Sequence, residues 1–119
     1  MRTIQAFAAA VAVLAATPAM AQSGAVRAAH DAFGAGDYVR AERVLMAEQR
    51  IYPNNPEVLV NLAAVYARTG RAAQASMLYR QILAREDVLL DLDADRTMSS
   101  HALATAGLQR VTTLQTAAR

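Results

Sequence analysis

NNPEVLVNLAAVYARTGRAAQASMLYRQILARED, residues 54–87, holds two apolar stripes separated by a single glycine, Gly70. Leu59, Leu62, Ala63 and Tyr66 keep the i, i+3, i+4, i+7 spacing of one helix face, and Ala75, Leu78, Tyr79, Ile82 and Leu83 repeat it beyond the glycine. The stretch predicts a helical hairpin. One hairpin cannot cover both of its stripes, so this one requires helical neighbours.

Toward the N-terminus, Ala25, Ala28, Ala29, Ala32 and Phe33 hold one helical face, with Ser23 placed as N-cap. Gly34 and Gly36 are expected to break that helix, because glycine takes the positive φ a helix end requires. Asp37 then caps a second helix whose stripe is Tyr38, Ala41, Val44, Leu45 and Ile51. Pro53 and Pro56 end it, since the residue before a proline is pushed out of the α region, and Pro56 suits the first turn of the next helix. Toward the C-terminus, residues 88–98 alternate and read as an extended loop or a small hairpin. A fifth helix over 99–119 starts at Ser99 or Ser100. Its apolar stripe is Leu103, Ala104, Gly107, Leu108, Val111, Leu114 and Ala118, against a polar face of His101, Thr105, Gln109, Thr112 and Thr116. That asymmetry suits a terminal cap.

Laid on each other, the two hairpins align at an offset of 34: Gly36 with Gly70, Ala41 with Ala75, Leu45 with Tyr79, Pro53 with Asp87. In this rhythm the chain resembles the tetratricopeptide-repeat family. Residues 22–55 form a degenerate first copy, with Ala32 where tyrosine is usual, and residues 56–87 a second. The resemblance implies an all-α fold: two stacked antiparallel helical hairpins, an α-solenoid, closed by the capping helix. It assigns repeat packing to Gly36, Ala41, Pro53, Leu62, Ala63, Tyr66, Gly70, Ala75 and Tyr79. Small residues there let helices approach closely while tyrosines fill the wedge between hairpins. It also implies a concave groove lined by the first helix of each hairpin. His30, Phe33 and Gly34 would face it from one copy, and Glu57, Val60, Ala64, Ala67 and Arg68 from the other. Phe33 and Arg68 lead as partner contacts, because aromatic and arginine side chains dominate interface energetics, although an aromatic is as readily core. Members that clamp a peptide carboxylate use lysine and asparagine where this chain has Val60 and Ala64, so that speciality is not expected. Glu48 and Gln49 stand where the second copy has Ile82 and Leu83. Glu48 either reaches water from a frayed outer repeat or is half-buried beside an arginine.

The first 21 residues of the 119 read as an export signal: Arg2, a nearly unbroken apolar run from Ile4 to Ala16, and Ala19-Met20-Ala21 as cleavage site, with the cut after Ala21. The run is short of the roughly 20 residues a spanning helix needs, so no stable membrane anchor is expected. Without Arg2 the chain carries eleven arginines and ten acids, interspersed in sign, which argues against nucleic acid. The absence of lysine and the abundance of alanine fit a GC-rich bacterial genome, placing the protein in a periplasm or outside the cell.

With no cysteine there is no disulfide, thiolate metal site or cysteine nucleophile. Asp91, Asp93 and Asp95 follow the start of a calcium loop, but Arg96 replaces its glycine and Ala102 its glutamate. A hydrolase using His30 or His101 is an alternative that Asp31, Ser99 and Ser100 invite. Neighbours on a helix point about 100 degrees apart, however, so sequence adjacency assembles no site. The sequence therefore predicts a non-enzymatic module without cofactor or metal that binds a protein or peptide. Self-association through exposed solenoid ends is a further alternative, since two repeats are fewer than the three usually needed.

Overall fold

The computed structural model describes residues 23–93 and 95–117. The expected leader over residues 1–21, its cleavage site and Ala118 lie outside them. In chain order the elements are α1 (Gly24–Gly34), α2 (Tyr38–Ile51), α3 (Pro56–Arg68), α4 (Ala72–Leu83), β1 (Leu89–Asp93), β2 (Arg96–Ser99) and α5 (Ser100–Ala117). The fold is helical, with one small strand pair.

Local chemistry sets the helix ends. Ser23 Oγ accepts from the Val26 N–H at 3.1 Å, Asp37 Oδ1 from Arg40 at 3.1 Å, and Asn55 Oδ1 from Glu57 at 3.0 Å, so α1, α2 and α3 each start on a side-chain cap. Both hairpin turns depend on a glycine with positive φ, Gly36 at 79° and Gly70 at 77°. Gly34 remains helical and breaks nothing, because the reversal needs only one left-handed residue. The turns also share their closing bond. Asp37 N–H donates to Ala32 O and Arg71 N–H to Tyr66 O, each at 2.8 Å and each 34 residues from its counterpart. The repeat is thus written in the backbone as well as in side-chain types.

Helices pack in sequence, α1 on α2, α2 on α3, α3 on α4 and α4 on α5, while α1 and α5 both also touch α3. Ala41, Ala63 and Ala75 are fully buried, which is the close approach the alignment implied. Around them Leu45, Leu59, Leu62 and Ile82 form the bulk of the core. Two stripe residues fall outside it. Ile51 is 65% exposed, because α2 outlasts the 11-residue α1, and Leu114 is 59% exposed, one turn past the last buried residue of α5, Val111. Conversely Val58 and Val65 are buried although off the α3 stripe. That helix is covered from both sides, so its apolar face is wider than one stripe.

Where the sequence offered a loop or a small hairpin, β1 and β2 pair antiparallel, with Leu89 opposite Ser99 and Leu90 opposite Met98. The strands are held to the end of α4 by the start of α5. Ser100 N–H donates to Val88 O at 2.7 Å, Val88 N–H donates to Ser100 Oγ at 3.0 Å, and the Asp87 carboxylate accepts from the His101 N–H at 3.0 Å. Ser99 Oγ caps the helix by accepting from Ala102 N–H at 3.0 Å. So fixed, α5 lies against α3 and α4 where a third hairpin would begin, and Gly107 meets the ring of Tyr79. A methyl at Gly107 would fall inside that ring, with the aromatic carbons as its nearest neighbours. Gly107→Ala is therefore expected to lower unfolding free energy by about 1–3 kcal/mol through overpacking, read by urea denaturation. An unchanged midpoint would show that the α4–α5 contact yields freely.

Candidate functional site

The face shared by α1 and α3 carries two adjoining cavities. One, about 150 Å³, is lined by Phe33, Leu45, Ala64 and Val65 together with His30 and Asn61. The other, about 180 Å³, shares His30 and Asn61 and adds Glu57, Val60 and, from outside the repeats, Leu90, Asp91, Leu92, Arg96 and Leu103. Asn61 is oriented by its amide, which donates to the Glu57 carbonyl one turn earlier at 2.7 Å.

Of the residues that sequence assigned to the groove, His30, Phe33, Glu57, Val60 and Ala64 line these cavities. Phe33 is half-buried, edge-on to Tyr38 with ring centroids 5.1 Å apart, so it belongs both to the core margin and to the groove. Arg68 lies elsewhere: it is exposed at the end of α3 and donates through Nε to the Tyr38 hydroxyl at 3.2 Å. Gly34 is exposed and Ala67 packs against the core; neither lines either of these two cavities. A small hairpin is one of the two readings the alternation of residues 88–98 allows, but its place as a wall of the groove has no signal in the sequence. Asn61 is legible by register, since it sits beside Val60 and one turn before Ala64 and Val65 on α3.

The buried acid is Glu57 and not Glu48. Glu48 is half-buried and makes no ion pair among the described residues. Glu57 is 3% exposed, and its Oε1 is buried with no hydrogen-bond partner. Burial pushes its carboxyl up to about 7; Asp91 adds repulsion, Arg27 offsets part of it, and Glu48 adds more. The Glu42–Arg71 pair is the reverse case. Arg71 donates Nη2 to Glu42 Oε2 at 2.8 Å and stacks 4.6 Å above Tyr66, tying α2 to the turn of the next hairpin and holding the Glu42 carboxyl below its usual range.

The serine and histidine pair at the start of α5 is occupied structurally. Ser100 is fully buried on Val88 and Asp87, and His101 Nε2 meets the Arg85 carbonyl at 2.6 Å, so no imidazole faces a nucleophile there. Asp91 lines the groove cavity while Asp95 is exposed at the hairpin turn. Among the described residues, no three His, Asp or Glu side chains are grouped so as to hold a metal ion. None of the described helices is long and apolar enough to cross a membrane.

This geometry defines a stacked-helix scaffold whose polar groups converge on a groove. Residues 32–88 match the family model of the tetratricopeptide repeat, and this segment is a tetratricopeptide-repeat array. Repeats of this family mediate protein–protein interaction. Comparisons with curated proteins and with solved structures gave no significant match.

The Glu57 carboxyl imposes a pH dependence whose sign is fixed. Its pKa rises from 4.5 to about 7 on folding, so its stabilising effect is complete below pH 4.5 and is lost as pH rises through 7. Glu57→Gln keeps the shape and removes the charge. It is expected to match the wild type near pH 4.5 and to exceed it by up to about 3 kcal/mol at pH 8, measured by urea unfolding at both pH values. Parallel curves for the two proteins would refute the buried-charge assignment.

Proposed function

We propose that the protein is an exported bacterial binding module, without catalytic activity, that takes an extended segment of a protein partner in the groove between α1 and α3. The observation that carries this reading is the pair of adjoining cavities, joined through His30 and Asn61 on the face that the repeats leave open. Half-buried Phe33 and Val60 offer apolar contact there, and Asn61 and His30 offer hydrogen bonding, the mixture a peptide main chain and its side chains require. Export is supported by the positive, apolar and A-x-A order of residues 1–21. The non-enzymatic reading is supported by the structural engagement of Ser100 and His101.

Peptides selected from a random library on the purified protein test the groove. Phe33→Ala and Ala64→Arg are each expected to weaken them by at least about 1 kcal/mol, roughly fivefold or more, with helical content unchanged by circular dichroism. Val39→Ala, on the exposed outer side of α2, is expected to leave them unaffected. Equal binding by all four proteins would discard the groove. Export is tested by expressing the full chain in a Gram-negative host: a periplasmic product whose mass begins at Gln22 is expected, and an uncut cytoplasmic chain would refute it.

A further inference from the structure

The second helices of the two hairpins, α2 and α4, turn matched faces outward. At the 34-residue offset Val39 pairs with Ala73 and Arg43 with Met77. One and two turns on, Met46 pairs with Arg80 and Arg50 with Ala84, and all these residues are exposed. Arg71 at the start of α4 holds Glu42, and Gln81 near its end donates to Asn54 Oδ1 at 3.3 Å, just past α2. The two helices therefore run side by side in the same direction, and their outer rows form one surface. None of its residues lines the α1–α3 groove. Val39 is 75% and Met77 68% exposed, so large apolar side chains stand in water there. The charge on this surface has one sign. Arg40, Arg43, Arg50 and Arg80 are exposed, and their side chains make no hydrogen bond or ion pair among the described residues. Of the acids on α2, Glu42 is held by Arg71, and Glu48 is half-buried on the side near Glu57. Helix α4 has no acid, and Asp37 stands at one edge as the cap of α2.

We propose that the outer face of α2 and α4 rests on an anionic lipid bilayer, with its arginines on lipid phosphates and Val39, Met46 and Met77 at the boundary between headgroups and acyl chains. The order of residues separates this occupant from others. A helical partner needs an unbroken apolar seam at helical spacing, whereas the row on α2 alternates as Val39, Arg43, Met46, Arg50. A second copy docked on this face with two-fold symmetry would set arginine against arginine, a like-charge contact. A bilayer requires no seam. Its negative headgroups lie over apolar chains across the whole plane, so interspersed arginine, valine and methionine side chains all find partners. The long arginine stems lie along the apolar boundary while the guanidinium groups stay with the phosphates. None of the described helices is long and apolar enough to cross a membrane, so the contact is peripheral. It uses the side of the hairpins away from the groove, and failure of the peptide selection described above leaves it intact.

Co-sedimentation of the full chain with vesicles tests it, using equal parts phosphatidylglycerol and phosphatidylcholine against phosphatidylcholine alone. Binding to the anionic vesicles is expected, falling as salt is raised. Arg43→Glu combined with Arg80→Glu is expected to weaken it at least about tenfold, with helical content unchanged by circular dichroism. Arg43→Lys combined with Arg80→Lys is expected to retain it within about threefold, since the charge is kept. The apolar run of residues 4–16 is common to all these proteins and so cannot produce a difference between them. Orientation is read with a polarity-sensitive dye, because the chain has no cysteine and one introduced thiol carries one label. The dye on Met77→Cys is expected to shift to the blue on anionic vesicles, and the dye on Asp31→Cys, exposed on α1, to stay unchanged. Equal binding to phosphatidylcholine alone, undiminished binding by the glutamate double variant, or equal shifts at the two labels would each overturn the proposal. Binding of a soluble amphipathic helix of leucine and glutamate, with no binding of vesicles, would overturn it in favour of an acidic protein partner.

Discussion

Close approach of helices at alanine is the constraint on which this structure depends. Ala41 and Ala75 are fully buried at matched places in the two hairpins, and Ala63 and Ala29 do the same for the first helices. A helix pair can come this near only where a side chain is no larger than a methyl group, and the large residues are then forced into the spaces between pairs. Tyr66, Tyr79, Leu45 and Leu62 occupy those spaces. The left-handed glycines at Gly36 and Gly70 allow each chain reversal to be short enough for the alanines to meet.

Much of this was legible in the sequence because helix packing obeys a local rule. Apolar spacing, caps and glycine turns are set by residues within a few positions of each other, so Ser23, Asp37 and Gly70 could be read directly. What failed lay where a decision depended on distant chain. Ile51 and Leu114 continue their stripes faithfully, yet both are exposed, because among the described residues the partner helices end sooner. Val58 and Val65 break their stripe and are buried, because α3 has neighbours on two sides. Periodicity reports a helix's own face and carries no information on how much of it will be covered.

The candidate site divides along the same line. His30, Phe33, Val60 and Ala64 could be placed on the groove by repeat register alone. The wall opposite His30 and Val60 could not, since it comes from β1, β2 and α5, segments outside the repeat whose docking is fixed by a few bonds between residues 85–88 and 99–101. Glu57 illustrates the difference. Its position on the first turn of α3 was plain, but its burial was not, nor was the elevation of its carboxyl by that burial and by Asp91 on β1. Of the acids spaced like the start of a calcium loop, Asp91 lines the cavity and Asp95 is exposed at the turn, while Ser99 caps α5 and Ser100 and His101 bond to residues 85–88.

The segment that walls the groove is continuous with the segment that seals the end of the array. Leu90 and Asp91 on one side of the turn and Leu103 on the other all face the same cavity, and the helix bearing Leu103 continues to Gly107 against Tyr79. Unwinding of that helix back to its first turn would therefore open the cavity, and anything seated in the cavity would oppose that unwinding by the same free energy. Amide exchange in the first turn of α5 would then report, from inside the molecule, whether that space is filled.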